Sequence, residues 1–270
     1  MRSLPYYLSL YRGLLSANFR SQMQYRVSFI ADLVGNFLVA ILDLAMVGIL
    51  LTRFSAIGGW TLGEVLFLYG SSSVSFSLAE LIAGGFDDFD AWVVRGEFDQ
   101  VLLRPLPITF QMLTARFHVR RIGRLAQALI ALILAFTLLD LRWDAGQVAF
   151  FAVMLLGGML LFTSIFIAGA TFAFWAPHAH EAVNIFTYGG QFMLSYPLHI
   201  YQQWMVSVFT FVIPMAFINY YPALYLLGKP DPFGLPSFVP FLSPIVAVAA
   251  FRVTLALWRS GVKHYQSTGT

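Results

Sequence analysis

The chain has 270 residues, of which 59% are hydrophobic and only 11% charged, with a mean hydropathy of +0.75 and a formal net charge of +3. A soluble domain carries about 25% charged residues, so this composition excludes a water-coated globule and reads as an all-α integral membrane protein. The small net charge argues against nucleic acid as a partner, and the absence of cysteine excludes disulfides and thiolate metal sites.

The N-terminal stretch up to Arg26 has no signal-peptide pattern, so the first span is expected to act as its own insertion signal. Within it, residues 4–26 read as an amphipathic interfacial segment with Leu4, Leu8, Tyr11 and Leu15 on one face. Six apolar stretches are long enough to span: 28–51, 62–83, 123–139, 147–175, 202–221 and 240–258. They are long apolar runs, not the short alternating segments of a barrel. Between the fourth and fifth, Pro177 is expected to stop a helix, and residues 178–197 to lie at the inner interface, either as a helical continuation or as an entry helix to the fifth span. Pro214 and Pro222 break the end of the fifth, and the Pro- and Gly-rich residues 221–240 read as a re-entrant piece. No second, soluble domain is visible; residues 1–270 read as one transmembrane domain.

Orientation follows from Lys and Arg. Six spans put both termini on one side, with Arg2, Arg12, Arg20, Arg26, Arg95, Arg104, Arg116, Arg120, Arg121, Arg124, Arg259 and Lys263. The other side has Arg53, Arg142 and Lys229. Both termini and the loop after the second span are therefore expected in the cytoplasm. Arg252, inside the last span, is expected to snorkel to the inner surface.

That loop, GGFDDFDAWVVRGEFDQVLLRPLP (84–107), places five acids and two arginines among aromatic and aliphatic residues. Phe86, Phe89 and Val93 share one helical face, Gly96 permits a break, and Phe98, Val101 and Leu102 form a second face ended by Pro105 and Pro107. Arg95 and Asp99 stand at i,i+4. An anionic inner leaflet repels so many carboxylates, so a protein surface is the better destination for this pair of helices.

No phosphate-cradling G-x-x-x-x-G-K-[ST], H-E-x-x-H or G-x-S-x-G motif occurs. The H-x-H-E run His178, His180 and Glu181, with His199 as a nearby addition, falls short of a converging metal set. In the first span, Asp32, Asn36 and Asp43 lie on one stripe, either lining a transport path or packing through hydrogen bonds. Glu64 completes a T-x-x-E capping box with Thr61 beside Trp60. Glu80, near the inner end of the second span, reads as the partner of an arginine, with a link between transport path and loop as the alternative. Serines 71, 72, 73, 75 and 77, and Gly157 with Gly158, mark close helix packing.

The run GEFDQVLLRPLP (96–107) resembles the G-x-[LF]-D-x-x-L-L-R-P-L element of ABC type-2 permeases of the six-span efflux branch. QYR (24–26), PLHIYQQWMVSVFTFVIPMAFINYYPALYLLG (197–228) and the tail WRSGVKHYQSTGT are similar to three further elements of that family, in the same order. The resemblance implies a permease without catalytic activity in the inner membrane, paired with a second permease as homodimer or heterodimer. Two separate ATPase chains would carry ATP and Mg, and an amphipathic drug-like, lipid or glycan substrate would move outward. It also implies that 84–107 is the coupling element, to which Phe89 belongs, with Arg95, Glu97, Asp99 and Arg104 as polar contacts to the ATPase and with Phe98, Val101 and Leu102 filling either the ATPase's groove or the permease's own base. Two other classes compete on the residues alone: a stand-alone ion- or proton-coupled carrier using Asp32 and Asp43, and a membrane enzyme using the H-x-H-E run.

Overall fold

The computed structural model describes residues 4–23, 56–115, 120–176 and 180–265, together with 30, 31, 34, 35, 38, 39, 42, 45 and 49. Those last nine positions are helical, in the stretch expected to form the first span. Helix α1 (Leu4–Met23) precedes them; Arg12 and Arg20 are exposed on it and Tyr11 is half-buried.

Helix α2 (Leu62–Asp87) is the hub. Its start is held by the expected box: the Glu64 carboxylate accepts from the Thr61 N–H at 2.7 Å. It packs on α6 (Arg120–Leu138) and α7 (Ala145–Phe172), the latter started by a reciprocal box between Asp144 and Gln147. The five serines of α2 are buried, and Ser75 donates to the Leu155 carbonyl of α7 at 3.1 Å. A Cβ on Gly158 would lie 2.6 Å from the Ser75 hydroxyl, so this glycine sets the approach of α2 and α7. Gly157 meets nothing closer than 3.9 Å and does not share that role. Above them, Phe67 packs among Phe136, Trp143 and Phe151 with centroids 5.6–6.1 Å apart.

Helix α2 leaves helical geometry at Ala83 and runs on to Asp87, so residues 84–87 extend the span and do not begin the loop. Two short helices follow, α3 (Phe89–Val94) and α4 (Glu97–Leu102), then α5 (Ile108–Ala115). Gly96 between α3 and α4 has φ +68°, the left-handed conformation that an L side chain resists. Gly85 admits the Met112 carbonyl of α5 to where a Cβ would sit.

Helix α7 ends at Phe172, ahead of the expected stop at Pro177, so α8 (His180–Leu194) is a helix of its own and not a continuation of α7, the second of the two expected alternatives. The fifth span is not one straight helix. Helix α9 (Gln203–Ser207) runs into a π turn at Val208–Val212, and the chain then bends by 76° into the segment Met215–Leu226, which contains α10 (Tyr220–Leu226). Residues 227–238 return without regular helix, tied by the Asp231 carboxylate, which accepts from the N–H groups of Phe233 and Leu235. Helix α11 (Ser243–His264) packs along α7, and Arg252 on it is exposed.

Among the described residues, four helical stretches are long and apolar enough to cross a membrane: Leu62–Val94, Arg121–Leu138, Ala145–Phe172 and Val239–His264. The bent pair makes five if it counts as one span. The expected count of six therefore stands at four or five over the described part of the chain.

Candidate functional site

Three features stand out, the first two of them at the end of α2. The first is the α3–α4 hairpin. Phe89, Phe98 and Val101 are fully buried, and Phe89 stacks edge-on against Phe98, Phe174 and Trp258 with centroids 4.9–5.1 Å apart. Phe98 also meets Tyr265 at 4.9 Å, so the hairpin plugs the ends of α7 and α11. Gln111 clamps its exit, its amide donating to the carbonyls of Val101 and Leu106 at 3.0 Å each.

The opposite face is exposed. Arg95, Leu102, Leu103 and Arg104 stand out, with Leu103 86% accessible. Leu102 therefore does not belong to the buried face with Phe98 and Val101, as its spacing had suggested. The expected Arg95–Asp99 pair is also replaced: Arg95 lies 3.7 Å from Glu97, because the left-handed Gly96 interrupts the helical register that i,i+4 pairing requires. Asp99 is half-buried beside Tyr265, whose hydroxyl is pushed up to about 12 by burial and then by the Asp99 carboxylate.

The second feature is a buried ion cluster linking α2, α6 and α8. Glu80, 2% exposed, meets Arg124 at 2.6 Å and Arg121 at 3.8 Å. Arg121, 5% exposed, also donates to the Glu80 backbone carbonyl at 2.7 Å and to Asp87 at 3.3 Å. Tyr188 on α8 donates to Asp87 at 2.7 Å and to Glu80 at 3.2 Å. Burial and the two carboxylates hold its hydroxyl proton well above the usual tyrosine range, so it remains a donor. Glu80 thus finds its arginine partners. Asp87, Arg121 and Tyr188 were missed as members, because they lie far apart in sequence and carry no motif.

The third is an apolar cavity of about 770 Å³ between α7, α8, the bent segment and α11. At the other end of α2, Lys229 pairs with Glu64 at 3.1 Å and lies over the Trp60 ring, and His199 contacts the Gly58 carbonyl at 2.8 Å. His199 is thereby engaged away from the H-x-H-E run, whose His178 lies outside the described residues. Among the described residues no group of three or more His, Asp or Glu could hold a metal ion. Asp32, Asn36 and Asp43 also lie outside the described residues.

Long apolar helices locked together by a buried ion cluster, around an apolar cavity, define a multi-pass membrane protein. The family model of the ABC-2 family transporter proteins matches residues 37–269. The chain belongs to that family and is a membrane permease, a transport subunit without catalytic activity of its own. No curated protein and no solved structure matches it.

Proposed function

We propose that this permease is the membrane half of an ATP-driven exporter in the inner membrane, with both termini in the cytoplasm, and that a separate ATPase docks on the α3–α4 hairpin. The supporting observation is the hairpin's two-sidedness. Its aromatic face is wedged into the ends of α7 and α11, while Arg95, Glu97, Leu102, Leu103 and Arg104 face outward. A push on such a wedge reaches the long helices directly, and through Asp87 it reaches the ion cluster. ATP and Mg belong to the partner ATPase in this reading. A second permease, identical or related, completes the transport path, and the substrate is an amphipathic or hydrophobic molecule moved outward.

The test is the double reversal Glu97→Arg with Arg104→Glu, at two positions on the hairpin's outer side. Such surface changes shift stability by under about 0.5 kcal/mol, so permease yield should hold. Charges buried at an interface cost about 2–5 kcal/mol when their pairing is broken, which is about 30-fold or more in affinity. Co-purification of the co-expressed ATPase should therefore fall sharply. Full retention of the ATPase by the reversed hairpin would reject the docking surface.

A further inference from the structure

The segment Gln203–Val212 ends abnormally. Its last turn widens, so that the Ile213 N–H donates to the Val208 carbonyl at 2.9 Å and not to Phe209. Pro214 has no N–H to offer Thr210. The Met215 N–H folds back onto the Ile213 carbonyl at 2.5 Å and so is withdrawn from Phe211. Three consecutive carbonyls, those of Phe209, Thr210 and Phe211, lose their helical donors at a 76° bend. They form the negative end of that helical segment, and in an apolar setting bare carbonyls are costly unless something donates to them.

The 770 Å³ cavity lies against this bend, and Thr210 and Phe211 line it. Its other walls come from Leu161–Phe172 of α7 and Val246–Thr254 of α11, both away from the outer ends of those helices. Nearly everything there is apolar. The hydroxyls in the lining are already committed: Ser164 donates to Leu160 at 2.7 Å, Thr254 to Ala250 at 3.1 Å, and Thr210 pairs with Tyr221 at 3.1 Å. The cavity therefore offers hydrocarbon contact and backbone acceptors, and among the described residues its lining contains no basic side chain. That chemistry suits an apolar body carrying an N–H donor and disfavours an anion.

We propose that this cavity binds a hydrophobic amine, its body between α7 and α11 and its ammonium on the carbonyls of Thr210 and Phe211, the two of the three whose residues line it. The proposal rests on the reading that the permease moves amphipathic molecules, and names their class. The size fits: ligand pockets run from about 300 to 1,000 Å³.

The test uses the permease in lipid nanodiscs without any ATPase, and three naphthylalkyl probes of equal length ending in an amine, a methyl or a carboxylate. Fluorescence titration, corrected with empty nanodiscs, should rank amine over methyl by about tenfold or more, with carboxylate weakest. Ala250→Phe fills the cavity and should weaken amine and methyl probes together. Pro214→Ala supplies an N–H for Thr210 and should shrink the amine's advantage while methyl binding holds. A carboxylate that binds as well as the amine overturns the proposal. So does an unchanged amine preference in Pro214→Ala, or full binding in Ala250→Phe. Because no ATPase is present, failure here leaves the docking reading intact; loss of docking with normal amine binding would show the converse.

Discussion

Replacing Glu80 by Gln removes one charge from the buried cluster while keeping the side chain's shape. Glu80 and Arg121 are 2% and 5% exposed, so water cannot take over from the lost carboxylate at Arg121. Breaking a buried ion pair commonly costs about 3–5 kcal/mol. Three features trim that figure. Arg124 is 41% exposed, so solvent can receive its charge. Arg121 keeps Asp87 at 3.3 Å and the Glu80 backbone carbonyl at 2.7 Å. The new amide oxygen can still accept from a guanidinium. The expected loss is therefore about 2–3 kcal/mol. At about 2–4 °C per kcal/mol for a chain of comparable size, the melting temperature should fall by about 4–12 °C. Intrinsic tryptophan fluorescence during heating in detergent measures this directly. Arg124→Gln should cost less than Glu80→Gln, since its charge is the better solvated of the pair. A Glu80→Gln protein melting within about 1 °C of the parent would refute the cluster as a clamp between α2, α6 and α8.

Three further outcomes are expected. Gly85→Ala puts a methyl group onto the Met112 carbonyl and should destabilise by at least about 1–3 kcal/mol, whereas Gly157→Ala, with its nearest neighbour at 3.9 Å, should be mild; thermal unfolding compares the two. The chain has no cysteine, so single cysteines at Arg95, Lys263 and Pro230 report orientation by labelling with an impermeant thiol reagent in intact cells. Labelling at 230 but not at 95 or 263 supports the cytoplasmic hairpin, and the reverse pattern rejects it. Tyr265 holds its proton up to about 12 against an ordinary value of 10.0. Between these values the unfolded chain has released a proton that the folded chain keeps, so Tyr265's contribution is complete below pH 10 and lost as pH rises toward 12. Melting curves from pH 9 to 12 should show the parent losing stability relative to Tyr265→Phe; parallel curves would contradict the burial of this hydroxyl.

Much of the scaffold was legible in the residues. Apolar run length marked α6, α7 and α11, because a helix that leaves no backbone group unpaired must be long and oily to cross a bilayer. The Thr61–Glu64 box and the Gly96 break are local: one depends on a side chain reaching three residues, the other on the sterics of a single φ angle. The small residues of α2 and Gly158 announced close packing, since only a missing side chain permits it.

What the tertiary structure alone decided lies at longer range. Pro214 announced a break in the fifth span, but the 76° bend and the three stranded carbonyls depend on a π turn at Val208–Val212 that no local pattern marks. In six-residue helices such as α3 and α4, fewer than two turns leave the buried face ambiguous, which is why Leu102 was assigned with Phe98 and Val101. Glu80 called for an arginine, but the choice of Arg121 and Arg124, over others equally basic, rests on the docking of α6 against α2 across more than 40 residues of chain. Periodicity and sterics act within a few residues, whereas ion pairs, cavities and wedged hairpins are properties of helices already packed.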